Sequence, residues 1–137
     1  MMLTRCNHWP DALSEYIERK RRAPFAWGSN DCCLFAADWI LMATGCDLAA
    51  SFRGQYSSAL GAMRMLRPFG NAVGIAVSDA RLSEVDNTKA QRGDIVSKHT
   101  LKGPALGICL GSVSAFVARD GLSFVPTIGQ ETRCWNF

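Results

Sequence analysis

The strongest constraint on this chain is a change of periodicity near its midpoint. Before Pro68-Phe69-Gly70 apolar residues recur at helical spacing, and after it they gather in short β-like runs. Trp9, Leu13, Tyr16 and Ile17 share one helical face and Pro10 suits a first helical position, which predicts a helix over about 9–22. A second helix is expected over about 31–44, capped by Asn30 or Asp31 and stopped at Gly45. A third is expected over about 57–66, with Ser57 as its cap and Leu60, Met63 and Leu66 as an apolar stripe that fills core. The runs 72–77, 94–96, 106–110, 114–117 and 122–125 read as strands, with Asp120-Gly121 as a hairpin turn and 135–137 closing the sheet. Helices followed by a mostly antiparallel sheet make an α+β layout, with the N-terminal helices packed on the sheet.

The 137 residues fit one domain, 1–137, with no internal repeat or linker. A hydrophobic share of 48% is enough for one core. The net charge of +3 is too small for a dedicated nucleic-acid binder, which concentrates cations on one face, so no nucleic-acid partner is expected. The run Glu18 to Arg22 reads as a solvated helix end whose cations suit the negative pole of the dipole. The most apolar stretch, Cys32 to Cys46, is interrupted by Asp38 and too short to span a bilayer. The start, MMLTRCNHWPD, has no apolar signal core, so the chain is expected to be soluble and made in a cytoplasm.

Six cysteines are present: Cys6, Cys32, Cys33, Cys46, Cys109 and Cys134. Without a secretion signal no disulfide framework is expected, and most of these residues read as small buried hydrophobes. There is no C-x-x-C pair and there are only two histidines, His8 and His99, so no metal site and no cofactor are expected. An iron–sulfur cluster would need ligands converging from far apart in sequence.

The segment Trp27-Gly28-Ser29-Asn30-Asp31-Cys32-Cys33-Leu34-Phe35 carries the candidate chemistry. It places Cys32 in the first turn of a helix, where unpaired N–H groups and the positive dipole end favour thiolate over thiol. A thiolate attacks carbonyls, and the same N–H groups can hold an oxyanion. Equally, Cys32 and Cys33 fit a buried helix as two apolar residues. Trp27 either lines a groove beside the nucleophile or anchors core, the commoner role. Arg53 either pairs with a substrate carboxylate or makes a surface salt bridge, again the commoner outcome.

Trp27-Gly28, then Asp31-Cys32, then Phe35 resembles the NlpC-type cell-wall endopeptidases, a papain-like group. Those enzymes have an aromatic-Gly before Asp-Cys-Ser-Gly-Phe, with the cysteine as nucleophile; here Cys33 and Leu34 stand for the Ser and Gly. Gly93-Asp94-Ile95-Val96 resembles their Gly-Asp-Leu-Val strand. Leu106 to Gly111 resembles their His-Val-Gly-Ile-Tyr-Leu-Gly strand. The whole chain is more similar still to small phage and prophage proteins that lie among tail genes, with Arg53-Gly54-Gln55-Tyr56 in mid-chain, Ala105 to Ile108 late, and a terminal Gly121-Leu122 and Trp135.

The resemblance implies a papain-like fold with Cys32 as nucleophile and Asp31 beside it. It also implies a catalytic histidine where this sequence has Ala105, so Ala105 is expected to face Cys32. His99, in an expected loop from Ser97 to Gly103, is the substitute candidate for the base, ahead of His8. Three functions share this fold. The first is a degenerate structural component of a phage tail tip, located in the virion, with other tail-tip proteins as partners. The second is an active cysteine peptidase or amidase cutting peptidoglycan stem peptides during DNA entry. The third is a module that binds a wall peptide without cutting it.

Overall fold

The computed structural model describes residues 3–101, 103–129 and 132–137. Among them are four α-helices: α1 (Trp9–Lys20), α2 (Cys32–Thr44), α3 (Ala59–Leu66) and α4 (Ala72–Ser78). Six strands follow α4: β1 (Ser83–Val85), β2 (Ile95–Thr100), β3 (Gly103–Cys109), β4 (Val113–Ala118), β5 (Gly121–Pro126) and β6 (Arg133–Asn136). The strands form one sheet in the order β1-β6-β2-β3-β4-β5, with every pairing antiparallel. The α+β reading of the sequence is therefore the architecture observed. No helix among the described residues is long and apolar enough to cross a membrane.

The middle of the molecule is α2. It is apolar on nearly every side, burying Cys33, Leu34, Phe35, Ala36, Ala37, Trp39, Ile40 and Ala43, as a helix must when covered by both sheet and helix. It packs on β3 below and α1 above. The Tyr16 hydroxyl of α1 donates to the Phe35 carbonyl at 2.7 Å while the two rings stack. The Trp39 indole N–H donates to the Gly93 carbonyl at 2.8 Å, tying α2 to the chain entering β2. Gly45 ends α2 in the left-handed conformation (φ +80°), its N–H closing on the Leu41 carbonyl.

Strand periodicity divides the sheet into two faces. Ile95, Leu106, Ile108, Ala115 and Trp135 point to the helices. Their neighbours Val96, Cys109, Phe116 and Cys134 form a second, smaller cluster on the other face, with Ala105 packed against it.

Several local expectations are corrected. Residues 72–78 form a helix, not a strand. The Asn71 side chain accepts from the Gly74 N–H at 3.0 Å and caps it, and Gly74 sits so close to Phe69 that a Cβ would fall 1.7 Å from its carbonyl oxygen. A short unbroken apolar run has no period to separate helix from strand, and the cap decided it. α3 starts one residue later than expected, capped by Ser58 rather than Ser57. Its stripe is only partly core: Leu60 and Met63 are 56% and 70% exposed, Leu66 is half-buried against the core, and Ala62 is the residue α3 buries. The β4–β5 turn is centred on Arg119-Asp120, since Ala118 pairs with Gly121. Residues 97–100 belong to β2 and Gly103 begins β3, so these residues are strand rather than loop. β1 was not foreseen, and 133–136 is not a closing edge but an inner strand between β1 and β2.

Candidate functional site

Asp31 is the N-cap of α2 and Cys32 its first residue, as the capping signal predicts. The Asp31 carboxylate is 1% exposed and accepts three hydrogen bonds. One oxygen takes the Leu34 N–H at 3.0 Å; the other takes the Gly28 N–H at 3.0 Å and the Tyr56 hydroxyl at 2.5 Å. Asp31 is thus occupied in building the turn and has no face to offer a ligand. Burial and the Asp31 charge push the Tyr56 hydroxyl well above the usual phenol range. Asn30 ties the preceding loop down by donating to the carbonyls of Ala23 and Pro24.

Cys32 is half-buried where α2 meets β3. Hydrogen bonding from the Cys33 thiol holds the Cys32 thiol below its usual value, with the backbone of Leu106 and Cys33 adding to this, against burial and the neighbouring Asp31 charge. The same contact, together with burial, drives the Cys33 thiol upward. Of the two, Cys32, half-buried at the start of the helix, is better placed to carry a thiolate than the buried Cys33. All six cysteines are free thiols.

The Leu106 backbone touches the Cys32 thiol, so the N-terminal part of β3 does approach it. The side-chain register is not the expected one. Leu106 points to the helices with Cys32, whereas Ala105 packs on the opposite face with Val96 and Phe116. Ala105 does not face Cys32. His99 does share its face: Ser97 pairs with Leu106 and His99 with Pro104, and paired residues point the same way. His99 is exposed, in an open groove with Asn71, Val73, Ser97, Pro104 and Arg133. Among the described residues no hydrogen bond links a histidine to Cys32. His8 precedes α1, beside Cys6, whose N–H donates to the Ala43 carbonyl. That is the far end of α2, roughly 16 Å from Cys32 at the helical rise.

Trp27 is not a core residue. It is 40% exposed in the loop before Asp31, its ring set edge-on to Phe25 at 4.7 Å. Arg53 makes the salt-bridge outcome, bridging Asp38 at 2.6 Å and Asp47 at 2.8 Å. Its bonds to Asp47 hold that carboxyl below the usual range, and its bond to Asp38 accounts for an acidic residue inside an apolar helix. Tyr56, the last residue of the Arg53-Gly54-Gln55-Tyr56 segment, belongs to the site although nothing in the sequence marks it. Its link to Asp31 spans 25 positions, which no local period reveals. Among the described residues no group of three or more His, Cys, Asp or Glu side chains converges to hold a metal ion.

Residues 4–137 match the model of a family described as Domain of unknown function (DUF6950). The chain belongs to this family. No curated protein matches the chain. The DUF6950 match covers both the Asp31-Cys32 turn and the C-terminal strands, so the site and the sheet beneath it belong to one family unit.

Within that unit Gly93-Asp94 is structural. Asp94 is buried, paired with Arg5 at 2.9 Å, and accepts the Gln91 N–H. The Arg5 guanidinium lies between the rings of Trp9 and Phe137, 4.6 and 4.4 Å from their centroids. A Cβ on Gly93 would meet Arg5 at 2.4 Å. In this DUF6950 chain the motif latches the N-terminal segment to the C-terminal residue and takes no part at Cys32.

Proposed function

We propose that this chain is a papain-like domain of the NlpC type kept as a building block of a bacteriophage tail tip, made in the bacterial host and carried in the virion beside other tail-tip proteins. One observation carries the loss of hydrolytic function: the side chains that β3 places on Cys32's face, Pro104, Leu106 and Ile108, include neither an acid nor a base. A cysteine hydrolase needs a base for the thiol and an acid for the leaving amine, and these side chains supply neither. The helix terminus favours the thiolate but cannot move a proton to a leaving group. The ordered run of Trp27-Gly28, Asp31-Cys32, Gly93-Asp94 and Leu106 to Gly111 supports the fold assignment. The similarity to proteins of tail genes supports the setting.

A genetic comparison in a phage that carries the gene tests this reading. Particles lacking the chain are expected to have defective tails, while particles carrying Cys32→Ala infect as wild type does. If Cys32→Ala particles are as defective as the deletion, although the chain is incorporated, the structural reading fails.

A second reading is favoured by one specific observation. His99 shares Cys32's sheet face two residues along from Ser97, the register partner of Leu106. Closure of the β2–β3 hairpin over the thiol would bring His99 in as base, and the domain would then be a peptidase or amidase acting on peptidoglycan stem peptides.

A further inference from the structure

We infer that Tyr56 is a positioning residue for the Cys32 thiol, acting through the Asp31 carboxylate. The inference deepens the reading of Cys32 as a retained, reactive thiol and rests on it. The carboxylate beside Cys32 is a liability as well as a cap, because its negative charge opposes a second negative charge on the next residue. Two of its three donors are backbone N–H groups of the turn itself, from Leu34 and Gly28. The third is the Tyr56 hydroxyl, which arrives from another part of the chain and is 8% exposed. It shares an oxygen with the Gly28 N–H, so the loop before the helix and the segment after Gly54 meet on one atom.

The backbone is shaped to hold this contact. Gly28 has φ +82° and lies so close to Tyr56 that a Cβ would fall 2.0 Å from its carbonyl oxygen. A Cβ on Gly61 of α3 would likewise meet the Tyr56 Cβ at 3.0 Å. Tyr56 is thereby fixed from two sides with its hydroxyl on Asp31. Drawing Asp31's charge into that hydrogen bond lessens its repulsion of the Cys32 thiolate. The titratable groups around the Cys32 thiol are Asp31, Cys33 and Tyr56, with His99 farther along the same sheet face; β3 contributes the Leu106 backbone.

The test is the pH dependence of iodoacetamide alkylation, followed at the Cys32 peptide by mass spectrometry in the full-length chain, for wild type, Tyr56→Phe and Asp31→Asn. Tyr56→Phe keeps the ring and its packing. Its alkylation midpoint is expected to rise on the order of one pH unit. Because a less acidic thiolate is a better nucleophile, the rate at neutral pH falls only about threefold. Asp31→Asn keeps a capping side chain but removes the charge, so its midpoint is expected to move the opposite way, downward. A merely structural role for Tyr56 would loosen the cap in both variants and move both midpoints upward, which overturns the inference. A Tyr56→Phe midpoint equal to wild type overturns it too, whatever the wild-type value. A wild-type midpoint at the ordinary thiol value removes the reactive-thiol reading instead, and the inference still stands if Tyr56→Phe lies above it and Asp31→Asn below.

Discussion

Asp94→Ala is expected to cost about 3–5 kcal/mol of folding stability, the usual cost of leaving one partner of a buried ion pair behind. Arg5 would keep its charge between Trp9 and Phe137 with no counter-ion, and the Gln91 N–H would lose its acceptor. Burial already pushes the Asp94 carboxyl upward even though Gln91 and Arg5 pull it down, so the pair sits in a site where charge is expensive. The double variant Arg5→Met with Asp94→Ala is expected to be less destabilised than Asp94→Ala alone, because it removes the stranded charge. Urea unfolding measures both. A single-variant loss under about 1 kcal/mol, the range of an exposed pair, would mean the latch is solvated and that Gly93-Asp94 has some other purpose.

Gly28→Ala is expected to be comparably damaging and to act on the thiol as well. A methyl group there meets the Tyr56 carbonyl oxygen at 2.0 Å in a left-handed backbone conformation, and what it meets is backbone rather than a flexible side chain. The loop must move away from Tyr56, which breaks the Gly28 N–H bond to Asp31 and strains the Tyr56 bond beside it. A loss of about 2–4 kcal/mol is expected from strain and a broken buried network together. At a temperature where the variant remains folded, Cys32 alkylation at neutral pH should also be slower than in wild type. Wild-type stability and wild-type alkylation together would show that the turn tolerates a side chain and that the Gly28–Tyr56 approach is not a constraint.

Much of the site was legible in the sequence because its signals are local. Asp31 followed by an apolar run ending at Gly45 specifies a capped helix, and Cys32 falls in its first turn by counting alone. Arg53 followed the general rule that exposed arginines find carboxylates. What failed depended on facing. Ala105 lies on the strand beside Cys32, but one residue in a strand is half a period and its side chain turns to the other face, so the resemblance places its histidine out of register here. A segment between two apolar runs reads as a loop, but His99 lies in the outer, exposed end of a strand, where polar residues meet water. Residue type points Trp27 to the core and helical spacing points Met63 there, yet a small domain leaves some large apolar side chains outside, and nothing local marks which. Tyr56 and Asp94 act through partners distant in sequence, which a single chain does not reveal.

The most direct test of the account is to incubate the purified full-length chain with peptidoglycan fragments, beside Cys32→Ala and His99→Ala, and to follow cleavage by mass spectrometry. The account predicts that wild type cleaves no faster than Cys32→Ala while its Cys32 is still alkylated by iodoacetamide. Cleavage by wild type that both substitutions abolish would contradict it, and would make His99 the base that reaches Cys32 from the same face of the sheet.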